Sequence, residues 1–247
     1  MPLRPAWLTS SPIAHRGLHD LEAGLPENSL AAFEAGAEAG YPCELDVQLT
    51  NSGELIVLHD LDLSRATGVA RPSVTLTAGD LPNTRIFGVD QRVPTLAQVI
   101  ECVRGRVPLL IELKRDDASN PRALVNAVLQ NLKYRNGEYA LSSFDPVIVY
   151  ALRTAKSDFP IGQISGLLRT ARPLRRLVGR SLASNFFTRP DFISYELVGL
   201  PSRIVEMWRS HGVTVLAWPI KSPYDEREAR KYADNIIFSD FLPDKLG

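Results

Sequence analysis

Three acidic side chains stand in two predicted strands where they can face a common point. Glu44 and Asp46 are separated by one residue, and Glu112 lies near the end of the next predicted barrel strand. Side chains two residues apart share a face of a strand, and we expect these strands to be neighbours. Clustered carboxylates repel one another, and a divalent cation relieves that repulsion. All-oxygen ligands favour a hard ion, so the pattern predicts a site for Mg²⁺ or Ca²⁺.

Two histidines, His15 and His59, follow short β-rich runs beside these acids. Cleavage of a phosphodiester needs one group that deprotonates the attacking oxygen and another that protonates the departing alkoxide. Imidazole can perform either step near neutral pH. We therefore interpret His15 and His59 as an acid–base pair.

Two cations, Arg16 and Lys114, accompany these residues. A phosphodiester carries a negative charge that becomes more concentrated in the transition state, and guanidinium and ammonium groups stabilise it. Two alternatives stay open. The cations and acids could form a metal-free ion-pair network, or Lys114 could be the Schiff-base residue of an aldolase or isomerase. The neighbouring acids disfavour the second alternative because they keep Lys114 protonated.

Short β-rich runs alternate with longer amphipathic ones, which is typical of βα units. Strands are predicted at Pro12–His15, Pro42–Leu49 (extended by Leu55–Leu58), Pro108–Leu113, Tyr139–Ser142, Ile161–Ser165, Phe192–Tyr195, Val213–Trp218 and Asn235–Phe238. Helices are predicted after the Asn28–Ser29 N-cap and at about Thr95–Val103, Pro121–Tyr134, Pro146–Lys156, Arg172–Leu182, Pro201–His211 and Pro223–Tyr232.

Eight strands with helical crossovers predict an α/β fold, a (β/α)8 TIM barrel formed as a single domain over residues 1–247. A short insertion, about residues 61–93, follows the second strand. A doubly wound open sheet has the same periodicity, but no glycine-rich nucleotide loop supports it.

The bulk composition excludes several classes of partner. Twenty-eight acidic and 28 basic residues balance, which argues against a nucleic-acid-binding protein. No apolar run approaches the roughly 20 residues that span a bilayer. The N-terminal residues lack the apolar core of a signal peptide, and the two cysteines are too few for a disulfide scaffold. We therefore expect a cytoplasmic enzyme with a small-molecule substrate and no integral membrane association.

Several spaced motifs together resemble the glycerophosphodiester phosphodiesterase family over nearly the whole chain. They are His15-Arg16-Gly17, Pro26-Glu27-Asn28-Ser29, Glu44-Leu45-Asp46-Val47, His59-Asp60 with Arg65 and Thr67-Gly68, Val93-Pro94-Thr95-Leu96, Glu112-Leu113-Lys114 and Ile236-Ile237-Phe238-Ser239-Asp240. The resemblance implies hydrolysis of glycerophosphodiesters to glycerol 3-phosphate and an alcohol. It also implies metal ligands at Glu44, Asp46 and Glu112, acid–base roles for His15 and His59, and phosphate binding by Arg16 and Lys114.

Two aromatic residues are candidates for the substrate pocket. Trp218 matches an aromatic residue that walls the glycerol side in similar enzymes, and Phe144 follows another predicted strand. Ordinary core packing is the alternative for both. The leaving alcohol is open, so a lysophospholipid or a sugar phosphodiester is an alternative substrate. A non-catalytic phosphodiester-binding barrel is a more remote one, because simple binding needs no pair of histidines.

Overall fold

The computed structural model of the protein describes residues 3–167 and 179–243, which belong to two compact units. The N-terminal unit is Ala14–Tyr139, and the C-terminal unit combines Met1–Ile13 with Ala140–Gly247. In chain order, eight parallel strands alternate with helices, and the fold is the predicted (β/α)8 barrel. That the whole chain acts as a single domain stays a prediction.

The N-terminal unit contains the strands that carry the acidic residues. The strands are β1 (Ile13–Ala14, which begins one residue before the unit), β2 (Cys43–Leu49), β3 (Leu55–Val57) and β4 (Leu109–Leu113). Strand β2 lies between β1 and β4 and is parallel to both, with Asp46 opposite Glu112. Strand β3, predicted as an extension of the second strand, is instead a separate antiparallel strand that pairs with β2.

Helix boundaries in this unit follow local capping chemistry. The helices are Leu30–Ala39, Ser64–Thr67, Leu96–Val103 and Pro121–Leu132. Helix Leu30–Ala39 begins where the Ser29 hydroxyl accepts a hydrogen bond from the Ala32 N–H at 3.1 Å, and it ends at Gly40 in the left-handed conformation. Helix Leu96–Val103 begins with a complete capping box between Thr95 and Gln98.

The insertion after β3 has its own small core. It contains the helix Ser64–Thr67 and the 3₁₀ turns Ser73–Thr75 and Leu81–Asn83. Its apolar residues bury one another together with the end of β3, in a cluster of Ile56, Leu58, Leu63, Ala66, Leu76, Leu81, Ile86 and Val93. The insertion therefore has little regular secondary structure but is well packed.

The C-terminal unit is a run of five consecutive parallel strands. They are β5 (Tyr139–Ser143, which begins one residue before the unit), β6 (Ile161–Ser165), β7 (Phe192–Glu196), β8 (Thr214–Ile220) and β9 (Asn235–Phe238). The helices are Trp7–Ser10, Pro146–Thr154, Asn185–Thr188, Arg203–Ser210 and Pro223–Ala229, with a 3₁₀ turn at Leu197–Gly199. The helix predicted over Arg172–Leu182 lies largely outside the described residues.

The cysteines and the helix lengths bear on two other points of the sequence analysis. Both cysteines are free thiols, with Cys43 buried and Cys102 half-buried. Among the helices that the structure describes, none is both long and apolar enough to cross a bilayer.

Gly17, next to the first histidine and arginine, is in a conformation that other residues resist. Its φ is +79°, and a Cβ there would lie 2.9 Å from the Ala32 carbonyl carbon. Gly53 has a φ of +91° with no atom within 4 Å of its would-be Cβ. The two glycines therefore separate backbone strain from steric overlap.

We predict that Gly17→Ala lowers the free energy of unfolding by roughly 2–4 kcal/mol, because left-handed strain and overpacking add. The control Gly53→Ala should lose only roughly 1–2 kcal/mol from strain. Urea titration followed by circular dichroism measures both values. Equal losses would contradict the close packing of Gly17 on Ala32.

Candidate active site

The turn that follows β1 places a histidine and an arginine beside the acidic residues. Arg16 adopts a left-handed φ of +59°, and its backbone N–H donates to Glu44 Oε2 at 3.0 Å. The Gly17 N–H donates to the Glu44 carbonyl at 3.2 Å. Strain of roughly 1–2 kcal/mol at Arg16 is thus offset by hydrogen bonds that connect the turn to β2.

The three predicted metal ligands converge. Glu44 and Asp46 share a face of β2, and Glu112 lies opposite Asp46 on β4. Their side chains are buried, with relative exposures of 4%, 1% and 7%. One carboxylate oxygen from each lies within 4.8 Å of the others. The cluster could hold a divalent metal ion, since its donor set is all carboxylate oxygen and is largely withdrawn from water.

The two predicted cations neutralise only part of this charge. Lys114 Nζ lies 3.3 Å from Asp46 Oδ1 and 3.7 Å from Glu112 Oε1. Arg16 Nε lies 3.5 Å from Asp46 Oδ2. The ion pairs of the metal-free alternative therefore exist, but three carboxylates, if all were ionised, would exceed the two cations by one negative charge. Within the described part of the chain, Glu44 has only His15 as an ion-pair partner, at 4.0 Å.

The pKa values of the three carboxyl groups diverge. Burial, followed by the charges of Asp46 and Glu112, raises the pKa of Glu44 well above its usual range. Burial also raises the pKa of Glu112 to about 7, despite the nearby Lys114. Burial acts in the same direction on Asp46, but Lys114, His59 and Arg16 outweigh it and lower that pKa. The metal-free cluster thus retains protons near neutral pH, and a bound cation would displace them.

Asn28 has a role that the sequence interpretation missed. It was predicted to cap a helix with Ser29, but only Ser29 does so. The buried Asn28 side chain instead donates from Nδ2 to Asp46 Oδ2 at 2.8 Å, and its Oδ1 accepts from the Asp46 N–H at 3.3 Å. The backbone of Asn28 has a left-handed φ of +57°, which asparagine tolerates better than most residues. The presence of an asparagine was the signal that the sequence offered.

Both predicted histidines lie in the N-terminal unit with the acidic residues. Burial, and then the charge of Arg16, lowers the pKa of His15 to about 3. His59 follows β3 by two residues, and its Nδ1 lies 2.7 Å from Asp60 Oδ1. Burial also lowers the pKa of His59, although the charge of Asp46 partly opposes it. Both imidazoles are therefore neutral at pH 7 in the metal-free protein.

The loop that carries His59 is held by the buried amide of Gln48. Gln48 Nε2 donates to the carbonyls of Leu58 and Asp60 at 2.7 and 2.8 Å, and its Oε1 accepts from the Ser73 hydroxyl at 2.5 Å. One β2 side chain thus fixes both ends of the His59 turn. Sequence reasoning also gave no role to Glu27, Asp60 and Arg65, which form ion pairs around Arg16 and His59. Their place within the spaced motifs was the only signal.

The two pocket candidates lie in the C-terminal unit. Phe144 directly follows β5, and Trp218 lies within β8, two residues before its end. Their ring centroids are 5.4 Å apart with an interplanar angle of 84°, an edge-to-face contact. Both side chains are half-buried. Their part in substrate binding stays a prediction.

Comparison with known proteins gives a consistent family. Residues 15–244 match the model of the glycerophosphoryl diester phosphodiesterase family. A glycerophosphodiester phosphodiesterase of Caldanaerobacter subterraneus is 30% identical, with 92% of this chain and 93% of the relative covered. Glycerophosphodiester phosphodiesterase 1 of Mus musculus is also 30% identical, with 96% and 78% covered.

Solved structures show the same fold. A phosphodiesterase of Oleispira antarctica, solved with the product sn-glycerol-3-phosphate, superposes with a TM-score of 0.77 at 20% identity, covering 94% of each chain. A glycerophosphodiester phosphodiesterase of Thermotoga maritima gives a TM-score of 0.71 at 25% identity, covering 92% of this chain and 93% of the other. Both the family model and the relatives span nearly the whole sequence, and the chain belongs to the glycerophosphoryl diester phosphodiesterase family.

Proposed function

We propose that the protein hydrolyses glycerophosphodiesters to glycerol 3-phosphate and an alcohol, with a divalent metal ion and two histidines. The observation that carries the proposal is the convergence of Glu44, Asp46 and Glu112 within 4.8 Å of one another. Membership of the family supports the reaction class. The Oleispira protein was solved with its product sn-glycerol-3-phosphate, and this supports glycerol 3-phosphate as the product here and glycerophosphodiesters as the substrates.

Glu44, Asp46 and Glu112 would hold Mg²⁺ or Ca²⁺, because three carboxylates form the hard, anionic donor set that these ions prefer. When bound, the ion supplies Lewis-acid polarisation of a phosphoryl oxygen. Asn28 keeps Asp46 oriented through paired hydrogen bonds, so the ligand geometry is set before any ion arrives.

Arg16 and Lys114 bind the remaining phosphoryl oxygens. Both cations already contact Asp46, at 3.5 and 3.3 Å, so an anion beside the cluster meets two fixed positive groups. These groups stabilise the charge that accumulates on phosphorus oxygens in the transition state. Arginine adds a planar fork of donors, and lysine adds a compact charge.

His15 and His59 move the protons. A neutral imidazole can accept a proton from the nucleophile, which is either water or the substrate's own glycerol 2-hydroxyl. The other histidine must carry a proton when it acts, and the negative charge of a bound phosphodiester favours that protonated form. This imidazolium gives its proton to the departing alcohol, while the first histidine keeps the proton taken from the nucleophile. Asp60 holds His59 through Nδ1 and leaves Nε2 for the substrate. Phe144 and Trp218 would wall the pocket for the glycerol or the alcohol, as aromatic faces pack on carbon.

We predict that His15→Ala and His59→Ala each lower kcat for glycerophosphocholine by at least about 100-fold, the usual contribution of an acid–base group. His211→Ala is the matched control, because His211 is exposed and its ring, among the described residues, hydrogen-bonds to Ser210 and Met207 of its own helix. Choline release in the presence of Mg²⁺ or Ca²⁺ is the measurement. Near-normal turnover in both site variants would refute the acid–base assignment.

Substrate class is tested by measuring the alcohol and the phosphomonoester that are released from each substrate. Glycerophosphocholine, glycerophosphoethanolamine, lysophosphatidylcholine and a sugar phosphodiester are compared by kcat/KM with the wild-type enzyme. We expect the two glycerophosphodiesters to give the highest kcat/KM and to yield glycerol 3-phosphate. Preference for the lysophospholipid or the sugar diester would overturn the substrate assignment but leave the phosphodiesterase class intact.

We also predict that added Mg²⁺ or Ca²⁺ raises the thermal midpoint more at pH 8 than at pH 6. The pKa of Glu112 is about 7 in the metal-free protein, so its carboxyl is mostly protonated at pH 6 and mostly ionised at pH 8. A proton and a metal ion compete for it, which weakens binding about tenfold at pH 6 for one displaced proton. The folded protein binds the Glu112 proton more tightly than the unfolded chain does. Loss of this proton as the pH rises through 7 should therefore lower the stability of the metal-free protein.

Differential scanning fluorimetry across pH measures this effect. Glu112→Gln should remove most of the metal-dependent shift, whereas Glu101→Gln, at an exposed helix position, should retain it. An equal shift in wild type and Glu112→Gln would rule out the acidic cluster as the metal site.

A further inference from the structure

Five charged or imidazole side chains form a continuous chain beside the candidate active site. Arg16 Nη1 donates to Glu27 Oε1 at 2.8 Å. Arg65 donates from Nη2 to Glu27 Oε1 at 2.6 Å and from Nη1 to Glu27 Oε2 at 3.1 Å. Its Nε donates to Asp60 Oδ2 at 2.5 Å, and Asp60 Oδ1 is 2.7 Å from His59 Nδ1. The order is Arg16–Glu27–Arg65–Asp60–His59.

The guanidinium of Arg65 is the centre of this chain. All three of its nitrogens donate hydrogen bonds, two to the Glu27 carboxylate and one to the Asp60 carboxylate. A planar fork can hold two carboxylates at a fixed separation and angle, which a single ammonium group cannot do. The Arg65 guanidinium carbon also lies 5.3 Å from the centroid of the Phe87 ring, so a second element of the insertion restrains it.

Stability alone does not account for the arrangement. The Arg65 side chain is 47% exposed, and exposed ion pairs contribute little to the free energy of unfolding. Burial alone would raise the pKa of Glu27, but the hydrogen bond from Arg65 and the charge of Arg16 outweigh burial and lower it. The same balance, with hydrogen bonds from Arg65 and His59, lowers the pKa of Asp60. Both carboxylates therefore stay ionised and able to hold their partners.

We propose that Arg65 is a positioning residue that fixes the phosphate-binding Arg16 and the acid–base His59 relative to each other through Glu27 and Asp60. The proposal rests on the functions proposed above for Arg16 and His59. Glu27 joins Arg65 to Arg16, and Asp60 joins Arg65 to His59. A displacement of the Arg65 guanidinium would therefore move both side chains. The insertion thereby takes part in the reaction, since helix Ser64–Thr67 carries Arg65.

The first test compares Arg65→Lys with Arg71→Lys. Arg71 lies in the same insertion, is 38% exposed, and pairs with Asp80 at 3.1 Å. Its replacement by lysine exchanges a guanidinium for an ammonium group away from the chain described above. We expect Arg65→Lys to lower kcat/KM for glycerophosphocholine about 10- to 100-fold, as for residues that orient ligands in other sites. The thermal midpoints of the two variants should agree within about 3 °C, which for a chain of this size is a small change in stability.

Equal kcat/KM for Arg65→Lys and Arg71→Lys would overturn the proposal. Wild-type kcat/KM in Arg65→Lys would overturn it too, because it would mean that only the positive charge of residue 65 is needed. A loss of activity accompanied by a much lower thermal midpoint in Arg65→Lys alone would show a structural role and would count against positioning.

A double-mutant cycle provides an independent test of coupling. Glu27→Gln and Asp60→Asn alter two carboxylates whose common hydrogen-bond donor is Arg65. Each change loosens the same guanidinium, so the double variant should lose less activity than the product of the two single losses, by at least about threefold. Multiplicative losses would mean that the two carboxylates act separately and would contradict the proposal.

The last readout needs no activity and so separates this proposal from the proposed function. In full-length, Mg²⁺-loaded protein, ¹⁵N NMR of the His59 ring reports which nitrogen carries the proton. We expect a dominant Nδ1–H tautomer, donated to Asp60, in wild type and in Arg71→Lys, and a mixture of tautomers in Arg65→Lys. An unchanged tautomer in Arg65→Lys would overturn the positioning role even for an enzyme that hydrolyses glycerophosphodiesters. If the wild type cleaves no glycerophosphodiester, the proposed function fails, and the tautomer result alone decides the role of Arg65.

Discussion

Mutual repulsion among buried carboxylates is the constraint around which the N-terminal unit is arranged. Glu44, Asp46 and Glu112 lie on adjacent parallel strands, nearly without solvent contact. Water would screen such charges, but the interior cannot, so the charge has to be balanced locally. Arg16 and Lys114 supply part of that balance on Asp46, and Glu44 is left without a close cationic side chain in the described ranges. An ionised acid of this kind is costly to a fold, so it retains a proton unless a cationic ligand replaces that proton.

The surrounding elements keep the cluster from relaxing apart. Paired hydrogen bonds from Asn28 hold Asp46, and the strained turn at Arg16 directs a backbone N–H to Glu44. The buried Gln48 amide connects the His59 turn and the insertion to β2. These are uncharged contacts that add no repulsion. They therefore hold ligand geometry at little electrostatic cost, in the manner of outer-shell groups at metal sites.

The sequence allowed most strands, several helix ends and the acidic cluster to be predicted, for identifiable reasons. Strict alternation in a strand fixes which side chains share a face, so Glu44 and Asp46 could be paired without coordinates. Capping by Ser29 and Thr95 is local chemistry and was equally accessible. The misassigned Asn28 shows the limit: its bond to Asp46 joins residues 18 positions apart, and capping preference pointed to the adjacent helix instead.

Long-range pairs explain the other omissions. Arg65 and Glu27 are 38 residues apart, and only the folded insertion brings them together. Nothing in the local composition of Ser64–Thr67 distinguishes an arginine that reaches the site from one that is merely solvated. The separate strand β3 was missed for a related reason, because a short apolar run after a turn does not reveal whether it continues a strand or reverses on it.

All seven residues assigned to metal, phosphate and proton transfer belong to one stretch, Ala14–Tyr139, while Phe144 and Trp218 belong to the other unit. The residues proposed to react and the candidate pocket wall are thus encoded in different parts of the gene. Drift or recombination confined to the second part would leave every residue proposed to react in place. Such a layout would let descendants change the candidate pocket wall while they inherit the same proposed reacting groups.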